Sequence, residues 1–159
     1  MYDIHTMRRD KAISYFKLTK YMADLFSKDP ARKVGTILLK PETLQILSVG
    51  YNGFARGVDE TKPERWVRPM KYNFCVHSEI NSICNAARSG TCLEDSIAIV
   101  TLYPCCSCCR ALIQSGVRTV VTLPPDFEDP NWGEEFKISK LMMEEAGVEI
   151  MLLKEQEIQ

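Results

Sequence analysis

Three side chains suited to binding zinc stand in two short segments of this chain. Cys105 and Cys108 form a Cys-x-x-Cys pair directly after Pro104, and His77 and His5 are the only histidines. A Cys-x-x-Cys pair that enters a helix places two thiolates one turn apart, near free N–H groups that favour their negative charge. With His77 the pair makes three ligands, and an open fourth position is what a catalytic zinc needs to bind water. The spacing therefore predicts a catalytic zinc site.

A carboxylate follows the histidine at an interval that suits proton transfer better than metal binding. Glu79 stands two residues after His77, and helix positions two apart point about 200° apart, so both side chains cannot easily reach one metal. We therefore interpret Glu79 as a proton carrier. A His-x-Glu segment followed by Pro-Cys-x-x-Cys is the signature of zinc deaminases acting on nucleobases, in which the Glu is a general acid and base.

The cysteine run also allows a second register. Cys106 and Cys109 form a Cys-x-x-Cys pair shifted by one residue from Cys105 and Cys108. We prefer the first pair because Pro104 fits just before a helix and occupies the place that the signature requires. Cys106 and Cys109 are then small packing residues or idle thiols.

The cysteines indicate the cellular compartment of the protein and allow an alternative type of zinc site. Seven cysteines, an odd number, and no cationic and apolar signal segment at Met1 predict a reduced, cytoplasmic environment. The cysteines are then expected to serve metal binding and packing. A structural zinc, closed by a fourth ligand from Cys75 or Cys84, is the alternative for the whole site.

The motifs resemble those of a known enzyme family. Segments 77–79 and 104–108 are similar to the zinc motifs of the cytidine and deoxycytidylate deaminase superfamily. Segments 27–30, 34–35 and 50–57 look like those of the deoxycytidylate (dCMP) deaminases within it. The family usually has Pro where Ala55 stands and Ala where Ser78 stands. Together the matching segments cover most of the chain.

This resemblance implies a reaction and a set of substrate contacts. The expected reaction is hydrolytic deamination of dCMP to dUMP with release of ammonia, using a zinc-bound hydroxide and Glu79 as the proton carrier. The resemblance also implies that Asn52 contacts the nucleotide near its sugar. Ser27, Lys28 and Arg32 are expected near its phosphate.

Regulation and assembly are further expectations from the same resemblance. Many dCMP deaminases are homohexamers that dCTP activates together with Mg²⁺ and that dTTP inhibits. Glycines let backbone N–H groups approach a triphosphate, and basic side chains can neutralise it. The alternative is that this region makes only a subunit contact. The expected effector residues are Gly50, Gly53, Arg56 and Gly57, with Arg65, Arg68 and Lys71 from the loop that follows.

Composition limits the other functions that the chain could have. With 159 residues and 45% hydrophobic residues, the chain is predicted to be one domain spanning 1–159. The net charge is −1, so no basic excess favours nucleic acid, and no apolar run of the length that spans a membrane is present. A deaminase of tRNA or single-stranded polynucleotide, or a non-catalytic zinc-stabilised binding module, remains the alternative.

Apolar periodicity predicts the elements that must position these motifs. The order is α-β-β-α-β-α-β-α-β, which indicates a three-layer α/β/α fold with a mixed five-stranded sheet and helices on both faces, as in the superfamily. The loop between the second strand and the second helix is predicted over 58–73. Predicted helices cover 9–28, 77–88, 105–115 and 134–146, and predicted strands cover 34–39, 44–51, 97–102, 117–123 and 148–153.

The same periodicity predicts which helix faces turn toward the core. In the first helix the apolar stripe comprises Ala12, Tyr15, Phe16, Leu18, Thr19, Met22, Ala23, Leu25 and Phe26. The other inward residues are expected to be Ile80, Ile83, Cys84 and Ala87 in the second helix, and Phe136, Ile138, Leu141, Met142 and Ala146 in the fourth.

Overall fold

The computed structural model describes residues 7–159, so His5 lies outside the described residues. The helices are α1 (Arg9–Phe26), α2 (Lys71–Phe74), α3 (Ser78–Ser89), α4 (Cys106–Gln114) and α5 (Gly133–Glu145). The strands are β1 (Gly35–Leu39), β2 (Ile46–Tyr51), β3 (Gly53–Phe54), β4 (Cys75–Val76), β5 (Ile97–Val100), β6 (Thr119–Thr122) and β7 (Glu149–Leu152).

Five of these strands form one mixed sheet in the order β2-β1-β5-β6-β7. β1 pairs antiparallel with both β2 and β5, whereas β5, β6 and β7 run parallel. The parallel strands are connected through α4 and α5, as parallel neighbours require a crossover. β1, β5 and β6 are buried along their whole length, which explains their continuous apolar runs.

Helices cover both faces of the sheet. Along β1 the side chains alternate, so Ile37 and Leu39 face α1 whereas Leu38 faces α3, α4 and α5. The predicted three-layer fold with a mixed five-stranded sheet is confirmed. On the α1 side the core includes Ala12, Phe16, Ile99 and Leu153, and on the other side it includes Ala98, Leu112, Val120, Phe136 and Met143.

Most of the predicted inward residues of α1 and α5 are buried or packed on the core, including Phe16, Ala23 and Phe136, but several others are exposed. In α3, Cys84 and Ala87 are exposed, and the buried side chains are Ser78, Glu79, Ser82 and Ala86. The reason is the close contact of Gly50 with the backbone of Ser78 and Ser82, which sets the rotation of α3 and turns Cys84 and Ala87 away from the sheet. In α5, Ile138 and Leu141 are exposed, and in α1, Leu18, Leu25 and Phe26 are exposed.

The segment predicted as a loop over 58–73 contains structure of its own. A short 3-10 helix (Pro63–Trp66) and α2 occupy it, and β3 pairs with β4 in a separate two-stranded sheet. Phe54 stacks on Trp66 with ring centroids 4.2 Å apart and lies 5.5 Å from the Phe74 ring. Aromatic packing therefore orders pieces too short to show a periodic pattern. Within residues 7–159 no helix has the length and apolar content needed to cross a bilayer.

Gly50 sets the distance between β2 and α3. A Cβ atom on Gly50 would lie 2.3 Å from the carbonyl oxygen of Ser78 and 2.4 Å from the backbone nitrogen of Ser82. Both are main-chain atoms and cannot rotate away. The residue predicted to bind an effector is thus buried beneath α3, and its lack of a side chain allows the first turn of that helix to lie on the sheet.

We expect Gly50→Ala to lower the free energy of unfolding by about 1 to 3 kcal/mol, because the added methyl overpacks a backbone contact. Gly53→Ala is the matched control, since a Cβ there meets no atom within 4 Å. Its effect should stay within about 0.5 kcal/mol. Urea unfolding of both variants measures the difference, and equal stabilities would contradict the role given to Gly50.

Candidate active site

Two helix N-termini meet in one cavity and bring three ligand atoms together. His77 directly precedes α3, and Cys105 directly precedes α4. His77 Nδ1 lies 3.5 Å from Cys105 Sγ and 3.4 Å from Cys108 Sγ. Ligands of a tetrahedral zinc are about 3.5 Å apart, so both the spacing and the sulfur and nitrogen donor set fit zinc. Among residues 7–159, no other set of three His, Cys, Asp or Glu side chains is grouped for metal binding.

The shifted cysteine pair points toward a different helix. Cys106 Sγ donates to the backbone oxygen of Glu135 at 3.3 Å, and Cys109 Sγ donates to that of Ser139 at 3.4 Å. One step along a helix turns a side chain by about 100°, so Cys106 and Cys109 face α5 while Cys108 faces His77.

The two cysteines of the structural-zinc alternative lie elsewhere. Cys75 lines the cavity wall but is outside the group of ligand atoms, and Cys84 is exposed on α3. All seven cysteines are free thiols. A fourth protein ligand from Cys75 or Cys84 is thus not in reach, and the group of three leaves room for a further ligand.

The two thiols of the group differ in pKa. A hydrogen bond from Cys108 is the main reason that the pKa of Cys105 falls to about 4, and that same bond, together with burial, raises the pKa of Cys108. The hydrogen bond with Cys105 raises the pKa of the His77 imidazole, which burial opposes. A bound cation favours the thiolate form of both cysteines.

Glu79 lies in the same cavity and is only 4% exposed. Burial raises the pKa of its carboxyl. Ser78 Oγ donates to Glu79 Oε2 at 3.1 Å, and the Thr36 hydroxyl lies 2.8 Å from Ser78 Oγ. A chain of two hydroxyls therefore leads from β1 to the carboxylate and orients it, a role that the Ser78 position did not reveal in the sequence.

Asn52 organises the opposite wall through its side-chain amide. Its Oδ1 accepts from Ser27 Oγ at 2.7 Å and from the Val34 N–H at 2.9 Å. Its Nδ2 donates to Asp29 Oδ2 and to the Arg32 carbonyl, both at 2.9 Å. An amide offers two donors and two acceptor lone pairs, so protein groups take all four. Asn52 thus lines the cavity, whereas Ser27 is buried and does not line it. The contact of both residues with a nucleotide stays a prediction.

A buried ion pair completes this wall. Lys71 Nζ lies 2.5 Å from Asp29 Oδ2, and both side chains are almost fully buried. Asp29 Oδ1 also accepts the backbone N–H of Ala31 at 2.8 Å and of Arg32 at 3.2 Å. Lys71, predicted for the effector region, therefore lies in the cavity of the zinc group and joins α2 to the loop after α1.

Basic and aromatic side chains line the remaining sides. Arg32 and Arg68 border the cavity, and so do Tyr72 and Trp132. The Trp132 ring stands edge-on to His77 and to Tyr72, with centroids 6.0 and 6.2 Å apart. The cavity thus places two aromatic rings and two guanidinium groups around the metal-binding group.

A second cavity lies on the other side of Asn52. Lys28, Gly53 and Arg56 line it, whereas Gly50 and Gly57 do not. Lys28 is paired there with Glu60, so the structure separates it from Arg32, next to which it was predicted. The Arg65 guanidinium instead lies 4.6 Å from the Phe74 ring centroid.

Known proteins match this chain over the segments that carry these motifs. Residues 9–123 match the model of a family described as the cytidine and deoxycytidylate deaminase zinc-binding region. A protein of Aliivibrio fischeri named uncharacterized deaminase in luxG 3'region is 35% identical over 141 residues, which cover 87% of this chain and 90% of that protein. Deoxycytidylate deaminase of Mus musculus is 30% identical over 158 residues, which cover 93% of this chain and 84% of the mouse protein.

The fold also has a close counterpart among solved structures. The crystal structure of dCMP deaminase from the cyanophage S-TIM5 in complex with dCMP and dUMP matches with a TM-score of 0.74. The match covers 93% of this chain and 100% of that chain at 22% identity. At this identity the likeness shows a shared fold.

We expect Lys71→Met to destabilise the protein by about 3 to 5 kcal/mol, because it leaves the Asp29 carboxylate buried without its cation. Lys28→Met is the control, since it removes the cation of an exposed pair and should change stability little. Thermal and urea unfolding compare the two variants. A Lys71→Met protein as stable as the control would show that the buried pair is not needed.

Proposed function

Because the chain belongs to the cytidine and deoxycytidylate deaminase family, we propose that it catalyses the hydrolytic deamination of dCMP to dUMP, with release of ammonia. The observation that carries the proposal is the cavity in which the Glu79 carboxylate is buried beside the group of His77, Cys105 and Cys108. The likeness to the mouse deoxycytidylate deaminase over 93% of this chain supports the choice of substrate.

His77, Cys105 and Cys108 would hold zinc, with no ligand from the shifted cysteines. When bound, zinc makes a water-derived nucleophile available at neutral pH. Three protein ligands suit this task because they leave a position for water, whereas a fourth would close it. The free N–H groups at the start of α4 favour the negative charge of the two thiolates.

Glu79 moves the protons of the reaction. Its carboxylate takes a proton from the attacking water and delivers it to ring N3 while the oxygen adds to C4. It then helps to protonate the departing amine, so that water and dCMP yield dUMP and ammonia. The hydrogen bond from Ser78 holds this carboxylate in one orientation.

The cavity walls suit the rest of the nucleotide. Tyr72 and Trp132 offer ring surfaces to a planar pyrimidine. Arg32 and Arg68 border the cavity with guanidinium groups, which bind phosphate in a bidentate manner, whereas Asp29 already neutralises Lys71. We therefore assign the phosphate to Arg32 and Arg68 and leave Lys28 out of this contact.

Regulation by dCTP and dTTP, with Mg²⁺ accompanying dCTP, is a finer part of the proposal. The second cavity offers Arg56 to a triphosphate, since Lys28 is already paired with Glu60, and Asn52 borders both cavities. An effector there can act on the substrate only if it binds two states of the enzyme with different affinity. A ligand that shifts Asn52 would also shift the wall that Asp29 and Arg32 share with it.

We also propose that the chain forms a homo-oligomer, a hexamer by likeness to the family. Exposed apolar side chains on α1 support assembly, since Tyr21 is 63% and Leu25 58% exposed. Phe26, also exposed, stacks on Tyr51 with ring centroids 5.8 Å apart. Such a patch commonly marks an interface. Light scattering of the purified protein tests the assembly, and a monomeric mass would contradict it.

We expect Glu79→Gln to keep zinc and to lower turnover of dCMP by about 10²- to 10⁴-fold, because an amide cannot carry the proton. Glu60→Gln, which changes a carboxylate outside this cavity, is the control and should leave turnover close to wild type. Ammonia release and bound zinc are measured on both variants. Near-normal turnover in Glu79→Gln would rule out the proposed mechanism and leave a zinc-stabilised binding module.

A substrate panel tests the reaction itself. Ammonia release should be fastest with dCMP, slower with deoxycytidine and dCTP, and slowest with oligonucleotides, because the cavity pairs two guanidinium groups with one phosphate. Equal efficiency on deoxycytidine and dCMP would remove the phosphate assignment. Preferential release from an oligonucleotide would replace the proposed substrate with a polynucleotide.

For regulation, we expect dCTP with Mg²⁺ to raise the initial rate at low dCMP and dTTP to lower it. Arg56→Met should weaken both effects, since Arg56 lines the proposed effector cavity and does not line the substrate cavity. Initial rates are measured against dCMP with and without each nucleotide. Hyperbolic curves that neither nucleotide moves would contradict the regulatory proposal and leave the reaction untouched.

A further inference from the structure

The metal-binding turn of α4 begins without a cap of its own. A helix start usually gives its free N–H groups a side-chain oxygen from the preceding residue. Here that residue is Cys105, which has no side-chain oxygen and makes no capping hydrogen bond, and its Sγ lies 3.5 Å from His77 Nδ1. The turn that carries two of the three proposed ligands therefore depends on a partner from outside α4.

Glu135 supplies this partner from α5. Its Oε2 accepts the backbone N–H of Cys106, the first residue of α4, at 3.1 Å. Glu135 also stands in the first turn of α5, so its negative charge lies at the N-terminal ends of two helices. Its neighbour Glu134 is exposed and pairs only with Lys137 on the surface, at 2.6 Å.

Two thiols bind α5 at the same contact. Cys106 donates to the backbone oxygen of Glu135, and Cys109 donates to that of Ser139, one turn further along α5. Together with the carboxylate, these bonds define the rotation of α4 about its axis. Since Cys105 and Cys108 lie about 100° from Cys106 and Cys109 around that axis, the rotation decides whether their sulfurs face His77.

We propose that Glu135 is a positioning residue for the metal site, which caps the first turn of α4 from α5 and thereby aims Cys105 and Cys108 at His77. Cys106 and Cys109, the pair in the shifted register, are then the neighbouring anchors of the same contact. This inference rests on the proposed zinc site but not on the proposed substrate. Residues that orient metal ligands without binding the metal themselves typically contribute about 10- to 100-fold to metal affinity.

Four variants test the proposal, and zinc affinity is the readout. Glu135→Ala removes the acceptor, Glu135→Asp keeps the charge but withdraws it from the Cys106 N–H, and Glu135→Gln keeps an oxygen acceptor without charge. Glu134→Ala is the matched control on the adjacent, exposed carboxylate. Zinc-loaded protein is titrated with a chromogenic zinc chelator at constant pH, and far-UV circular dichroism checks the fold.

We expect Glu135→Ala and Glu135→Asp to weaken zinc binding by about 10- to 100-fold, with Glu135→Gln and Glu134→Ala close to wild type. If Glu135→Ala does not fold, the comparison of the Asp and Gln variants decides. Wild-type affinity in Glu135→Asp, or equal losses in the Gln and Asp variants, would overturn the proposal. A wild-type protein without zinc would instead overturn the proposed function, so the two failures are distinguishable.

Discussion

The meeting of two helix N-termini in one cavity is the constraint on which the site depends. α3 brings His77 and Glu79, and α4 brings Cys105 and Cys108. The imidazole and the two thiolates can bind one metal only if the N-termini of the two helices place the three ligand atoms within a few ångström of one another. Each helix is held for this purpose by a different contact.

For α3 the contact is with the sheet. Gly50 lets the backbone of Ser78 and Ser82 lie directly on β2, and Thr36 on β1 reaches Ser78 by a hydroxyl contact of 2.8 Å. The buried face of α3 therefore consists of small and polar residues, and it carries Glu79 into a desolvated position. For α4 the contact is with α5, through the Glu135 carboxylate and two thiols. The sheet thus positions one half of the site, and α5 positions the other.

The sequence predicted the parts of this arrangement that depend on local spacing. The interval between Cys105 and Cys108 determines which sulfurs share a helix face, and the apolar runs of β1, β5 and β6 determine the sheet. Contacts between distant segments left no such pattern. Glu135 reaches Cys106 across 29 positions, and Lys71 reaches Asp29 from a segment without periodicity.

The wrong helix faces have the same origin. In the predicted stripe of α3, Ile83 does pack against the core, but the close approach of Gly50 to Ser78 and Ser82 sets the rotation of the helix and leaves Cys84 and Ala87 exposed. Likewise, a Gly-rich segment suggested an approach to a ligand, whereas Gly50 serves the packing of a helix. Such distinctions depend on backbone separations, which apolar periodicity does not report.

X-ray absorption spectroscopy of the zinc-loaded protein tests the central claim most directly, since it counts the atoms bound to the metal. Three protein ligands with an open position predict two sulfurs at about 2.3 Å, one imidazole nitrogen at about 2.0 Å and one further light atom from water at a similar distance. Three or four sulfurs would mean that Cys75, Cys106 or another thiol closes the site. That result would contradict a catalytic zinc bound by His77, Cys105 and Cys108.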